Sequence, residues 1–102
     1  MATRATISVK HEDGSYSSIY NHYDGYESSL GEELKKHFTN QKDVEGLMDE
    51  GAIRGIYDGL VDPFNDGSIC NRSKNRDEFT NYIDEEGYQY NYLFEDGEWK
   101  LI

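Results

Sequence analysis

The chain has 102 residues, and its 21 acidic side chains against 10 basic ones leave a formal net charge of −11. This length predicts one domain, residues 1–102, with a modest core. The charge argues against direct binding to nucleic acid or to anionic membranes and favours a partner with a basic surface. Nine tyrosines, four phenylalanines and one tryptophan argue against disorder and predict an aromatic core.

Cysteine usage and hydropathy indicate a compartment. Cys70 is the only cysteine, so no internal disulfide can form and nothing indicates a secreted, disulfide-stabilised fold. The N-terminus lacks the apolar run of a signal peptide, and no segment has the length and hydropathy of a membrane span. We therefore expect a cytoplasmic protein with no membrane partner.

The first predicted element is a β-hairpin. Ile7 and Val9 alternate with polar residues, which is the period of a strand with one buried face. Asp13-Gly14 follows, and this pair between two alternating runs is a strong hairpin signal. A two-residue turn at this pair places Val9 opposite Ser18 and Ile7 opposite Tyr20.

Residues 17–38 predict a strand end, an aromatic loop and a capped helix. Asp24-Gly25 is typical of a turn and ends the strand. Ser29 and Glu32 have the spacing of a capping box, in which each side chain hydrogen-bonds a free backbone N–H of the first turn. The helix then has an apolar face formed by Leu30, Leu34 and Phe38.

A second helix is predicted between Asn40, a favourable N-cap residue, and Gly51, a natural stop. Asp43 in its first turn suits the positive end of the helix dipole. Glycine and proline interrupt the chain repeatedly after this helix. We therefore expect residues 52–76 to form a long ordered loop with one helical turn.

The C-terminal part predicts a second hairpin. Residues 79–83 are typical of either a strand or a short helix, and residues 84–87 of a turn. Aromatic residues then alternate with other residues up to Asp96-Gly97, which closes the hairpin. The resulting register places Phe94 opposite Trp99 and Tyr92 opposite Leu101.

These elements predict an α+β fold, in which an antiparallel sheet built from an N-terminal and a C-terminal hairpin packs on two short helices.

Few residues are spaced for chemistry. No histidine or cysteine pair has a zinc-ligand spacing, and no glycine-rich phosphate loop is present, so we expect no metal and no cofactor. His22 and Asp24 could act as a general base, but no nucleophile or oxyanion hole accompanies them at a recognisable spacing. We therefore predict that the chain is not an enzyme, with a small hydrolase that uses His22 and Asp24 as an alternative.

The acidic residues are the strongest functional signal. They fall in two groups: Asp43, Glu45, Asp49 and Glu50, and then Asp84, Glu85 and Glu86. Duplex DNA carries one negative charge per ~1.7 Å of axis, and carboxylates arrayed on one side of a rigid protein imitate that field. The alternative is an even distribution that serves solubility. Tyr23 and Tyr26 are the predicted aromatic anchors, because tyrosine is enriched where interface energy concentrates.

Two parts of the sequence together resemble a family of small phage and prophage proteins. The segments that carry the resemblance are Ala5–Val9, Asp13-Gly14, Ser18–Tyr26, Leu30-Gly31, Tyr90–Phe94 and Asp96–Trp99. The chain has Tyr23 where the family commonly has tryptophan, and Glu27 where proline is common. The family carries over no catalytic residues. The resemblance implies a phage setting and the cytoplasm of an infected bacterium.

The predicted function is an anti-defence or host-takeover inhibitor that binds a host nucleic-acid-handling protein through an acidic, DNA-mimic-like surface. Such a protein acts stoichiometrically, without turnover. A second hypothesis is a sponge for a nucleotide signal, in which tyrosines stack on the base and Arg54, Arg72 or Arg76 meets the phosphate.

Overall fold

The computed structural model describes residues 2–102 and has an α+β fold. Its strands are β1 (Ala5–Lys10), β2 (Tyr16–Asn21), β3 (Ile53–Tyr57), β4 (Leu60–Pro63), β5 (Asn71–Ser73), β6 (Tyr90–Glu95) and β7 (Glu98–Leu101). Its helices are α1 (Glu32–His37), α2 (Gln41–Met48) and α3 (Arg76–Glu86), and a π-helical turn at Glu27–Gly31 leads into α1. The predicted class is therefore confirmed, with three helices instead of two.

All seven strands belong to one mixed sheet. The order is β4-β3-β2-β1-β6-β7, and β5 pairs with β2 beside β3. Both predicted hairpins are present. Most pairs are antiparallel, but β1 runs parallel to β6 and β2 runs parallel to β3. The predicted antiparallel sheet is confirmed for most pairs. The β1–β6 and β2–β3 pairs are parallel because the chain returns to β1 and to β2 after helices and not through tight turns.

The register of the first hairpin differs from the prediction by one residue. Ile7 lies opposite Ile19, because the loop is longer than two residues: the His11 N–H donates to the Ser15 carbonyl at 2.8 Å. Asp13 closes this loop by accepting hydrogen bonds from the Ser15 backbone and hydroxyl. The shift turns Tyr20 to the face of the sheet opposite Ile7, since successive strand residues alternate between faces.

The second hairpin has the predicted register. Phe94 lies opposite Trp99, and their ring centroids are 5.2 Å apart in an edge-to-face arrangement. The Trp99 indole also donates a 2.9 Å hydrogen bond to the Phe38 carbonyl, which ties the hairpin to the end of α1. Cross-strand aromatic pairs of this kind each stabilise a sheet by roughly 0.2–1 kcal/mol.

The two predicted helix starts have different outcomes. Ser29 lies inside the π-helical turn, and Tyr26 precedes that turn without a side-chain cap, so the capping box was a wrong prediction. The N-cap of α2 is confirmed, because the Asp43 N–H donates to Asn40 Oδ1 at 2.9 Å. The apolar face of the first helical segment is also confirmed, with Leu30 and Leu34 buried.

The predicted long loop at residues 52–76 was wrong. The segment forms β3, β4 and β5. A turn at Asp58-Gly59, where both residues have positive φ, joins β3 to β4. These strands are only three to five residues long. Glycine and proline occur within them, so their local signals for a strand are weak. Pairing of β3 and β5 with β2, and of β4 with β3, supplies the order that the local sequence lacks.

The sheet separates two apolar clusters. We call the side covered by the π-helical turn, α1 and α2 the inner face, and the side on which α3 packs the outer face. The inner cluster includes Ile7, Val9, Ile19, Leu30, Leu34, Val44, Leu47, Ile53, Ile56 and Phe94. The outer cluster is smaller and consists of Tyr16, Phe79, Ile83 and Leu93. The chain thus forms three layers: helices, sheet and helix. Within residues 2–102, the helical layer on the outer face consists of α3 alone.

Helix α3 covers only part of the outer face. Its Phe79 and Ile83 contact β6 and the start of β2, and the Phe79 ring stacks on Tyr16 with centroids 4.4 Å apart. Along β3 and β4 the residues that alternate with the inner core therefore face solvent. These include Arg54, Tyr57, Leu60 and Asp62, of which Leu60 is 74% exposed.

Candidate partner-binding face

The uncovered part of the outer face carries connected aromatic rings. We call this surface the aromatic face. It consists of Tyr20, His22, Tyr23, Phe64 and Tyr88, whose rings contact one another, and of the exposed Tyr57. Tyr88 follows α3, and its ring centroid lies 5.1 Å from that of Tyr20. The Tyr20 hydroxyl is 2.5 Å from His22 Nδ1, and burial of its ring raises the pKa of Tyr20. Residues from β2 and from the chain after α3 thus meet on one surface.

His22 is the centre of the aromatic face. Its ring lies edge-on to Tyr23 at a centroid distance of 4.4 Å and to Phe64 at 5.4 Å. The Arg54 guanidinium stands over the Phe64 ring, 5.5 Å from its centroid. Such cation–π contacts contribute about 0.5–1 kcal/mol at exposed sites. The surface therefore already holds one guanidinium against an aromatic ring.

Asp24 lies at one end of the aromatic face among three exposed tyrosines. Tyr23 is 47% exposed, Tyr57 43% and Tyr26 39%. The Tyr57 hydroxyl donates a 2.7 Å hydrogen bond to Asp24 Oδ2. That hydrogen bond, with some burial and the nearby carboxylates, raises the pKa of Tyr57 to about 12. Asp24 itself has a left-handed backbone with φ of 55°, a conformation that aspartate tolerates better than most residues.

Asp84, Glu85 and Glu86 border the aromatic face on its α3 side. They form the last turn of α3 and not the predicted free turn, and Gly87 ends the helix with φ of 66°. All three are exposed, and no basic residue accompanies them in that turn. Carboxylates there face the negative end of the helix dipole, which is electrostatically unfavourable.

A groove joins these carboxylates to the aromatic face. It has a volume of about 630 Å³, and Tyr20, Tyr82 and Glu86 line it together with residues of the 68–72 segment. Burial and the charge of Glu86 raise the pKa of Tyr82 to about 12. Burial and a hydrogen bond with Glu86 also raise the pKa of Tyr88. Glu86 therefore lies beside these rings and links the end of α3 to the aromatic face.

The other predicted acids lie on the opposite side of the molecule. Asp43, Glu45, Asp49 and Glu50 belong to α2 or follow it directly. Helix α2 packs on the inner face through Val44, Leu47 and Met48, whereas α3 packs on the outer face. Tyr23 is linked to Tyr20 through the His22 ring, and Tyr20 lines the groove that Glu86 also lines. The structure does not bring the two acidic groups together on one side.

Glu45 belongs to a hydrogen-bonded relay that the sequence did not predict. His11 Nδ1 is 2.6 Å from Glu45 Oε2, and His11 Nε2 is 2.7 Å from Ser17 Oγ. A hydrogen bond from Gln41 and the His11 contact hold the pKa of Glu45 below its usual range. Serine, histidine and a carboxylate occur in this order in hydrolase triads. Ser17, however, is only 1% exposed, so no substrate reaches its hydroxyl and the relay is a structural link.

The hydrolase alternative depends on His22 and Asp24, and the nucleotide-sponge alternative depends on three arginines. His22 and Asp24 each bond a different tyrosine, and no hydrogen bond within residues 2–102 joins them to each other. Arg76 bonds Tyr16 and Glu95 beneath α3. Arg72 lies opposite Ser17 and also lines the groove beside Tyr82 and Glu86. Of the three arginines, Arg54 is the one that contacts a ring of the aromatic face.

No metal site and no membrane-crossing helix are found in the described part of the chain. No group of three or more histidine, cysteine, aspartate or glutamate side chains within residues 2–102 is placed to hold a metal ion. None of the helices there has the length and hydropathy needed to cross a membrane. Comparison with protein-family models, with curated proteins and with solved structures finds no match to this chain.

Sequence reasoning missed most of the aromatic face. It named Tyr23, and His22 as part of a different site, but not Tyr20, Tyr57, Phe64 or Tyr88. The rings come from four separate segments, and no local pattern links them. Period-2 alternation could not have found Arg54 and Tyr57, because residues three apart lie on opposite faces of a regular strand. A register shift between Ile53 and Gly55 lets both face outward.

Proposed function

We propose that the chain is a stoichiometric inhibitor that binds a basic protein surface through the aromatic face and the neighbouring α3 carboxylates. The observation that carries the proposal is the uncovered aromatic part of the sheet, bordered by Asp84, Glu85 and Glu86. Exposed aromatic surface joined to carboxylates fits a partner that presents arginine and lysine.

The two components have different roles in binding. Tyrosines such as Tyr23 and Tyr57 supply contact area with few rotatable bonds, and interface energy concentrates on residues of this type. The carboxylates steer a basic partner and make association fast and sensitive to salt. The net charge of −11 disfavours a second copy of this chain as the occupant.

The partner class and setting follow from charge and from resemblance. Basic grooves that ordinarily hold nucleic acid are complementary to a surface of this kind. The resemblance to small phage and prophage proteins supports an anti-defence or host-takeover role in the cytoplasm of an infected bacterium. We propose the α3 acids as the partner-binding group, and we assign the α2 acids no contact with the same partner surface.

The test compares two variants with the same change in charge. One neutralises α3 (Asp84→Asn, Glu85→Gln, Glu86→Gln), and the other neutralises α2 (Asp43→Asn, Asp49→Asn, Glu50→Gln). Each protein is immobilised, bacterial lysate is applied at low salt, and bound protein is released with duplex DNA. We expect the α3 variant to retain much less DNA-releasable protein than wild type, and the α2 variant to retain as much as wild type.

Two outcomes would contradict the proposal. If wild type retains no protein that duplex DNA releases, the chain does not occupy a nucleic-acid-binding surface. If both variants lose binding equally, the overall charge acts and the aromatic face is not the binding site.

A second candidate is a nucleotide-binding module. The stacking of Arg54 on Phe64 beside His22 favours it, because a base stacks on exposed rings and a guanidinium meets a phosphate. A thermal-shift screen with mononucleotides and cyclic nucleotides tests it. A saturable rise in melting temperature that Arg54→Ala abolishes supports this candidate, and unchanged melting temperatures with every nucleotide exclude it.

A further inference from the structure

We infer that Asp24 is the point at which an arginine side chain of the protein partner docks. This inference rests on the proposed function and names the chemical group that the aromatic face receives. It starts from the carboxylate itself. Asp24 accepts one hydrogen bond, from Tyr57, and no ion pair within residues 2–102 includes it. A carboxylate has room for several donors, so Asp24 retains acceptor capacity.

The loop that carries Asp24 is held in place before any partner arrives. The Tyr23 N–H donates to the Arg54 carbonyl at 2.7 Å, and the Gly25 N–H donates to the Thr3 carbonyl at 2.9 Å. The Asp24 carbonyl accepts from the Leu30 N–H at 3.2 Å. Buried Asn21 adds a 2.8 Å hydrogen bond from Nδ2 to the Tyr23 carbonyl. Little conformational entropy is therefore lost when a ligand binds here.

The surroundings favour a guanidinium over an ammonium group. A guanidinium is planar, stacks on aromatic rings and presents parallel donors to a carboxylate, whereas an ammonium is a compact and strongly hydrated charge. Tyr57, whose hydroxyl bonds Asp24, is nearly half exposed, and so is Tyr23, the residue that precedes Asp24 in the chain. The chain already seats the Arg54 guanidinium against a ring of the same face. An arginine from outside would use the same type of contact at Asp24 and gain a charge-assisted hydrogen bond.

The test uses acetyl-Gly-Arg-Gly-amide as the probe and its lysine counterpart as the comparison, followed by backbone amide NMR shifts. We expect the arginine peptide to cause saturable shifts confined to residues 22–26 and 54–58. Asp24→Asn should weaken this binding by at least about tenfold, the typical effect of losing a hydrogen bond to a charged group. This variant keeps an acceptor for Tyr57, and asparagine also tolerates the left-handed backbone.

Asp43→Asn is the matched control, because it makes the same chemical change on the inner side of the molecule, and it should bind the arginine peptide as wild type does. Equal binding of the arginine and lysine peptides would overturn the preference for guanidinium. Unchanged binding by Asp24→Asn, or shifts spread over all acidic segments, would overturn the site.

The failure of this inference can be told apart from failure of the proposed function. If Asp24→Asn binds the peptide as wild type does while the α3 variant still loses DNA-releasable partner, the inference fails and the proposed function stands. If wild type retains no DNA-releasable protein but its peptide binding depends on Asp24, the guanidinium site stands and the proposed function fails.

Discussion

His11 Nδ1 lies 2.6 Å from Glu45 Oε2, and this contact joins the β1–β2 hairpin to α2. Because the other ring nitrogen bonds buried Ser17, His11→Ala leaves a hydroxyl without its partner. We expect this change to lower the free energy of unfolding by about 1–3 kcal/mol. Urea denaturation measures it.

The matched control for this prediction is the double variant His11→Ala, Ser17→Ala. It removes both partners, so it should be less destabilised than the sum of the two single variants. Additive losses would show that the two side chains do not interact in solution.

We expect the protein to lose stability in acid because the carboxylate of Glu95 pairs with three cations. Its carboxylate is 3.0 Å from both Lys100 Nζ and Arg76 Nη1, and 3.8 Å from Lys10 Nζ. The hydrogen bond from Lys100 and the charges of all three cations hold its pKa below the usual range. A lowered folded pKa stabilises the protein above the unfolded value of about 4.3, and this contribution disappears as the pH falls through the folded pKa.

Glu95→Gln tests this prediction. We expect it to cost about 1 kcal/mol near neutral pH, a small value because the three cations are each more than a third exposed and are screened by solvent. The difference from wild type should shrink as the pH falls below about 4. A difference that stays constant down to acid pH, measured by urea denaturation, would contradict the role assigned to this carboxylate.

We expect substitution by alanine to have opposite effects on stability at two glycines, Gly46 and Gly51. Gly46 lies within α2 with nothing within 4 Å of an added Cβ, so Gly46→Ala should stabilise the protein by about 0.5–1 kcal/mol. Gly51 has φ of 68°, and an added Cβ would lie 2.2 Å from the Ser68 carbonyl oxygen. Gly51→Ala should destabilise the protein by more than about 1 kcal/mol. Thermal unfolding measures both, and a shift of the same sign would contradict the prediction.

Tyr57 should ionise two pH units later than an ordinary tyrosine, since its pKa rises from 10.0 to about 12. The hydrogen bond to Asp24 is the largest cause, so Asp24→Ala should bring the pKa back towards 10. Ring-carbon NMR shifts across alkaline pH follow this residue, with Tyr57→Phe to assign its signal. An unshifted pKa in wild type would mean that the Tyr57 hydroxyl does not bond Asp24 in solution.

Several features could be predicted from the sequence because short-range chemistry determines them. The Phe94–Trp99 register follows from a tight Asp-Gly turn between alternating aromatic residues. The Asn40 cap follows from one side chain and an N–H three residues later. The charge that favours a basic partner is a property of composition alone.

The rest depended on contacts between distant parts of the chain. The first hairpin slipped by one residue because the Asp13–Ser15 hydrogen bonds favour a longer loop, and this slip turned Tyr20 outward. Strands β3 and β5 form because β2 offers an edge to pair with, and β4 pairs in turn with β3. The two acidic groups are separated because α2 and α3 pack on opposite faces of the sheet. Pairing, packing and the choice of face are long-range properties, so only the tertiary structure decided which carboxylates lie beside the aromatic rings.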